Sequence, residues 1–343
     1  MCMYCSIVPL QVLLRLSKDQ TYSSQVRRGL ADAAQVDTQL RKLREQARKL
    51  TRASEAVSPG IVALAAAPTI TIYDCNGSKT LPGLPVTNPD TSADASIKQA
   101  FETTTNVSKF YQQVFNRNSI DSSGMTILSS VHFGIGYNNA NWNGSQMLYG
   151  DGDGAIFVDF TRSNDVICHE LTHGVIQHSL QLVYSNEPGG LNESMSDVFG
   201  AMFRQWMAGQ TVATADWLIG KDIVGPQAAA NGLTCLRDMA SPGNAHCIAP
   251  QVFHYANYRP GIDPHTSSGI PNFAFYNAAM AIGGNSWDSA GQIWYAAMTG
   301  FGASPNMTMQ KFADRTRQVA GQLFPGNAAV ANAVDQGWRQ VGL

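Results

Sequence analysis

The chain opens on a short apolar stretch, Ile7 to Leu16, broken by Gln11 and Arg15. From residue 19 to 57 it is polar, basic and helix-forming. The run VDTQLRKLREQARKLTR sets Leu40, Leu43 and Leu50 among Lys and Arg, which predicts a helical arm, either packed on a partner surface or solvated. ASEAVSPGIVALAAAPT follows without periodicity and reads as a linker. At Thr69 the pattern changes to alternation, TITIYDCNGSKTLPG, ending in Asn-Gly and Pro-Gly turn signals. Helical spacing returns over 92–117, with Ile97, Ala100, Phe101, Val107, Phe110, Tyr111 and Phe115 on one face and Ser92 as the expected cap. GMTILSSVHFGIGYNNANW then predicts strand, turn and strand, and SQMLYGDGDGAIFVDF a second hairpin. DGDG starts like a calcium loop but lacks the closing glutamate, so it reads as a turn. After Asp165 the spacing is helical almost to the end. Strands followed by helices predict an α+β chain of two lobes, β-rich then mainly α-helical, with a cleft between them.

The 343 residues suit two domains plus an extension, and 44% hydrophobic with 14% charged residues supports a sizeable core. A net charge of -2 gives no reason to expect nucleic acid or an anionic membrane as partner. No apolar run reaches membrane-spanning length. The N-terminus lacks the charge pattern of a signal peptide, which leaves retention in the cytoplasm, export by another route, or a wrongly assigned start that hides an upstream leader. Six cysteines are scattered, with no CxxC pair; Cys235 and Cys247 could close a short loop or remain free thiols.

The segment CHELTHGVIQH changes the picture. His169 and His173 are four apart, so on a helix both rings leave one face a turn apart and can hold a tetrahedral metal. Glu170, beside the first ligand, can take a proton from a water that the metal polarises. Asn164 or Ser163 can cap this helix, with Asp165 in its first turn. A third histidine would be needed at 179 in the extended signature, and the chain has Ser179; His178 points off the shared face. A carboxylate is the other source of a third ligand. GGLNESMSDVFGAMF offers Glu193, with Asp197 four residues later to orient a ligand histidine.

HELTHG followed by NESMSDVFG, with Glu193 24 residues after His169, resembles the thermolysin-like zinc metalloendopeptidases from about Tyr73 to the C-terminus. The resemblance implies one catalytic zinc on His169, His173 and Glu193, Glu170 as general base, and Asp197 bonded to His169. It also implies that Asn139, Ala140 and Trp142 form an edge strand that binds extended substrate, and that Tyr184 and His265 donate to the oxyanion. Arg237 would bind the substrate carbonyl. Phe157, Phe160, Val166, Ile219 and Leu236 would line the pocket for a hydrophobic residue after the cut. The implied partners are protein or peptide substrates, for a monomer. A catalytically weak zinc protein that binds peptides or partner proteins is the alternative reading.

The chain departs from the family in three places. Asp165, Glu193 and Asp216 match acidic positions at or near its double calcium site, but Arg204, Leu218 and Lys221 replace three other carboxylates. The double site is therefore expected to be absent, with Arg204 and Lys221 supplying the charge. Pro260 stands where an aspartate usually orients the histidine matched by His265, leaving Asp263 to take over, and Ser267 stands where Asn is usual. Finally, CSIVPLQVLLRLSKD resembles the short prosegment of the protealysin and griselysin subgroup. That implies a prosegment and linker over 1–67, a β-rich catalytic lobe over 68–187 and a helical lobe over 188–343. It further implies an inhibitory extension with Ile7 to Leu10 in the cleft, self-cutting near residues 60 to 70, and secretion by a non-classical route. Cys5 lies near enough to place a thiolate on the metal, although a packing thiol is the simpler expectation.

Overall fold

The computed structural model describes residues 5–51, 67–300, 302 and 304–343. The linker expected after the arm falls largely outside them, as do the side chains of Leu43 and Leu50. The chain starts with strand β1 (Cys5–Ser6), then helices α1 (Leu10–Lys18) and α2 (Ser24–Thr51). Val12, Leu13 and Leu16 of α1 and Val26, Leu30, Ala33 and Val36 of α2 are buried in the main core. The arm therefore packs on the body, and its basic residues are what made it look solvated.

Strands β2 (Ile70–Asp74) and β3 (Leu84–Pro85) precede helix α3 (Ala95–Phe115), and β4 (Ile127–Val131), β5 (Ala140–Trp142) and β6 (Met147–Tyr149) follow it. With β1 they form a six-stranded sheet in the order β1-β5-β6-β4-β2-β3, whose centre, β6-β4-β2, is parallel. Two local expectations need correction. β4 and β5 are both strands but not neighbours, because β6 inserts between them, and 150–158 returns to no strand of this sheet. There the Asp153 carboxylate accepts from the N–H groups of Ala155, Ile156 and Phe157, turning the chain so that Phe157 bridges to Val224 instead. Nor does Ser92 cap α3. Asp94 does, accepting from Ser96 and Ile97, because a 3-10 turn at Pro89–Thr91 carries Ser92 out of the helical path.

Helix α4 (Asn164–Gln177) carries the histidines and α5 (Asn186–Ala208) the acidic pair. Ser163 flanks α4, but its hydroxyl bonds Asp165 rather than the backbone. Gly200 lets α5 cross close over α4, since a Cβ there would stand 2.8 Å from the Asp165 carbonyl oxygen. Beyond α5 lie β7 (Leu218–Ile219), α6 (Pro226–Ala230), β8 (Arg237–Asp238) and α7 (Pro264–Ser267). Helices α8 (Gly269–Ile282), α9 (Ser289–Thr299), α10 (Met309–Leu323) and α11 (Ala328–Gln340) close the second lobe. Trp294 and Trp338 stack between α9 and α11 with centroids 6.0 Å apart. Among the described residues no helix is long and apolar enough to cross a membrane.

Candidate metal centre and substrate cleft

α4 presents His169 and His173 with their Nε2 atoms 3.0 Å apart. Across from them α5 brings Glu193, whose Oε2 is 3.5 Å from His169 Nε2 and whose Oε1 is 3.7 Å from His173 Nε2. Two ligand atoms ~2.05 Å from a tetrahedral zinc stand about 3.3 Å apart, so the three side chains fit such an ion. Glu193 Oε2 is buried without a hydrogen-bond partner, 3.3 Å from His265 Nε2, which suits an oxygen that ligates a cation. The outer ring nitrogens are tied down. His169 Nδ1 lies 2.9 Å from Asp197 Oδ1, and His173 Nδ1 lies 2.7 Å from Asn192 Oδ1 and 3.0 Å from Ser196 Oγ. These three contacts turn both Nε2 atoms toward Glu193. His178 ends α4, exposed and away from this cluster.

Asp197 gathers three further donors: Arg237 Nε at 2.8 Å, Arg237 Nη2 at 2.7 Å and Asn272 Nδ2 at 2.9 Å. Burial opposes its ionisation, but Arg237 and His169 outweigh that and hold the carboxyl down at about 2. His173 is pushed down to about 3, chiefly by burial. Glu170 moves the other way. Burial and the nearby Glu193 charge raise it well above the carboxylate range, against the Trp142 N–H, which donates to Oε2 at 2.6 Å. Glu170 Oε1 has no hydrogen-bond partner.

Tyr184 donates its hydroxyl to Glu193 Oε1 and stands 3.4 Å from His265 Nε2. Asp263 does what Pro260 cannot: its Oδ1 accepts from the His265 backbone N–H and ring Nδ1, both at 2.9 Å. Burial lowers the His265 ring, and the charges of Glu193 and Asp263 more than reverse that.

The N-terminal extension runs through this cluster. β1 pairs antiparallel with β5, Cys5 opposite Trp142 and Ser6 opposite Asn141. The Ser6 carbonyl lies 2.6 Å from His265 Nε2, and the Ile7 carbonyl 2.8 Å from Arg237 Nη1. Ile7 N donates to the Ala140 carbonyl at 3.1 Å. Asn139 grips Val8 twice, Oδ1 accepting its N–H at 2.9 Å and Nδ2 donating to its carbonyl at 3.0 Å. The expected pocket residues Phe157, Phe160, Val166, Ile219 and Leu236 are all fully buried. The β7–β8 ladder joins Ile219 to Leu236, and the Phe157 and Phe160 rings lie 5.6 Å apart. The Cys5 sulfur comes within 4.8 Å of ligand atoms of His173 and Glu193, but it is disulfide-bonded and so not the thiolate considered from sequence.

Comparison with known proteins now bears on the chain as a whole. Residues 44–177 match the family profile described as thermolysin metallopeptidase, catalytic domain, and residues 180–343 the one described as thermolysin metallopeptidase, alpha-helical domain. The chain belongs to the thermolysin metallopeptidases. It is 41% identical over 285 residues to an extracellular metalloprotease of Pectobacterium carotovorum subsp. carotovorum, covering 79% of this chain and 80% of that protein. It is 39% identical over 287 residues to the neutral protease NprE of Bacillus pumilus, 80% and 87% of the two chains. The solved precursor of protealysin, a metalloproteinase from Serratia proteamaculans, superposes with a TM-score of 0.82 at 34% identity over 98% of this chain and 99% of that one. This thermolysin metallopeptidase is thus a metalloendopeptidase made as a zymogen, and its family implies zinc.

Sequence reasoning did not give Asn192, Ser196 and Asn272 a part in holding this metallopeptidase's site, although Asn192 immediately precedes Glu193. It also missed that Arg237 neutralises Asp197, and that buried Asp37 of α2 accepts from Asn139 Nδ2 at 2.6 Å and from the Tyr137 hydroxyl. One Asp among the charged residues of a basic helical arm carries no local signal of such contacts.

Proposed function

We propose that the mature enzyme hydrolyses internal peptide bonds that place a hydrophobic residue after the cut, and that its own N-terminal segment keeps it latent by lying in the cleft as a substrate would. The observation that carries this is the register of β1: one residue presents its carbonyl to His265, the next to Arg237, and the third is clasped by Asn139. That matches an extended peptide added to an exposed sheet edge, and Ile7, fully buried, takes the place of the residue after the cut.

His169, His173 and Glu193 hold the zinc in this reading, with Asp197 and Asn192 fixing the rings. Bound there, the ion supplies Lewis-acid polarisation of a water and of the scissile carbonyl. Glu170 takes the water's proton and delivers it to the leaving amine; its raised affinity for protons suits both halves of that task. Tyr184 and His265 donate to the carbonyl oxygen as charge gathers on it. Asn139, Ala140 and Trp142 align the peptide, Arg237 holds the carbonyl beyond the cut, and Phe157, Phe160, Val166, Ile219 and Leu236 favour an apolar side chain.

Self-cutting near residues 60 to 70, mostly outside the described residues, completes the proposal. Intact mass of the purified chain followed over time tests it: loss of the extension that a zinc chelator abolishes is expected. A full-length mass that never changes, with or without chelator, overturns self-processing.

Asp37 is a lock on this latency. It is buried in the extension and bonds two body residues, Tyr137 and Asn139, the second of which clasps Val8. Asp37→Ala should weaken the grip by about 1–3 kcal/mol, enough to speed the appearance of activity roughly tenfold. Activation at the parent rate would exclude this role.

In this reading calcium is not needed where the family resemblance places a double calcium site. Arg204 reaches Asp222 at 2.7 Å and Asp165 at 3.4 Å, and Lys221 bonds Asp216. These internal cations supply the charge. The expected result is a thermal midpoint unchanged by added calcium, and a rise with calcium would show that a calcium site survives.

A further inference from the structure

Away from the catalytic cluster, Cys235, His246 and Cys247 each offer a ligand atom, and these atoms lie within 4.8 Å of one another. We propose that they form a second metal site, for a thiophilic divalent cation such as zinc, which fixes the loop carrying Arg237. The Cys235 and Cys247 sulfurs are 3.7 Å apart, and both cysteines are free. Two thiolates on one tetrahedral zinc, each ~2.3 Å from it, are about 3.8 Å apart. A disulfide would bring the sulfurs to ~2.05 Å.

The backbone sets this spacing. Cys235 and Cys247 form an isolated parallel bridge, reinforced by Thr234 N to His246 O, Ile248 N to Cys235 O and Ala249 N to Leu236 O, at 2.9 to 3.0 Å. The histidine is oriented as a ligand ring is. Its Nε2 lies 3.0 Å from Asp238 Oδ2, the carboxylate partner that fixes tautomer and raises basicity. A ring nitrogen of His246 lies within 4.8 Å of both sulfurs, and Thr234 Oγ1, 2.9 Å from Nδ1 and 4.0 Å from Cys235 Sγ, holds the ring beside them. Both cysteines are buried, while the His246 side chain is 28% exposed, leaving an entry path and a fourth position for water. Soft thiolates with one imidazole select zinc over calcium or magnesium. Both thiols must give up their protons to bind a cation, so uptake falls as pH falls.

The site lies between two functional contacts. Leu236 and Arg237 follow Cys235 directly, so the staple holds the strand that sends Arg237 to Asp197 and to the Ile7 carbonyl. Ile248 follows Cys247 and accepts from Arg15 of the extension.

The test counts zinc in the full-length chain. A His169→Ala/His173→Ala variant, which disables the catalytic cluster, should keep about one equivalent, and adding Cys235→Ser/Cys247→Ser should remove it. In a Cys5→Ser background, cobalt should give a thiolate charge-transfer band that His246→Ala weakens and the double serine variant abolishes. A His169→Ala/His173→Ala chain that folds but retains no metal would overturn the proposal. So would a peptide linking Cys235 to Cys247 by a disulfide in protein prepared with zinc and reductant. Wild-type protein provides the check that needs no variant: about two equivalents of zinc per chain support the site, and a single equivalent denies it.

Discussion

Glu170→Gln should lower kcat by roughly 10³–10⁴-fold, the upper part of what a positioned proton acceptor contributes, while zinc content and thermal midpoint stay at parent values. The substitution is chosen for what it keeps. Glu170 is fully buried, and its Oε2 accepts the Trp142 N–H at 2.6 Å; a glutamine oxygen can accept the same bond. What is lost is the capacity to take a proton. Because burial and Glu193 already raise Glu170 well above the carboxylate range, the parent enzyme's rate should also fall away on the acid side as Glu170 becomes protonated, and the variant should lack that limb. The same variant should stay full length, since removal of the extension needs the same proton transfer. A variant that retains parent kcat, or that trims its own extension at the parent rate, would show that the base lies elsewhere.

How much of this was legible in the sequence depends on how local the geometry is. His169, Glu170 and His173 share one helix, and Glu193 and Asp197 share another, so four-residue spacing alone predicts that each pair emerges on one face. The structure brings the two faces together because Gly200 admits α4 against α5, a close approach that a single glycine does not announce. Asp263 could be named as the substitute for the missing aspartate because it lies two residues from His265. The sheet was harder. β4 and β6 pair in parallel across the intervening β5, and such a crossover leaves no mark on the alternation of either strand. Long-range polar contacts were hardest of all. Arg237 and Asp197 are 40 residues apart, and Asp37 is 102 residues from Asn139. The Cys235, His246 and Cys247 grouping likewise follows none of the common zinc-ligand spacings and appears only once the backbone bridge between its two segments is seen.

The contact between Asp197 and Arg237 carries the second large expectation. Both side chains are fully buried, and their two hydrogen bonds are joined by those from His169 and Asn272. Asp197→Asn keeps the size of the side chain but leaves the Arg237 cation without a counter-charge, which costs about 3–5 kcal/mol. The same change frees the His169 ring from its carboxylate partner, so zinc affinity should fall roughly 10–100-fold. Denaturant midpoints with and without zinc, together with a zinc titration, separate the two effects. The native carboxyl is depressed from 3.8 to about 2, so its contribution to stability is fully present above the ordinary carboxylate range and is lost as pH falls toward 2. The parent should therefore lose its advantage over the variant across that acid interval. A second substitution sharpens the argument. Arg237→Met added to Asp197→Asn removes the stranded cation, so much of the stability should return while zinc affinity stays low, because nothing restores the carboxylate behind His169. If zinc affinity recovered along with stability, Arg237 rather than Asp197 would be the group that governs the metal site. If Asp197→Asn alone left both midpoint and affinity unchanged, the buried pair would have neither role.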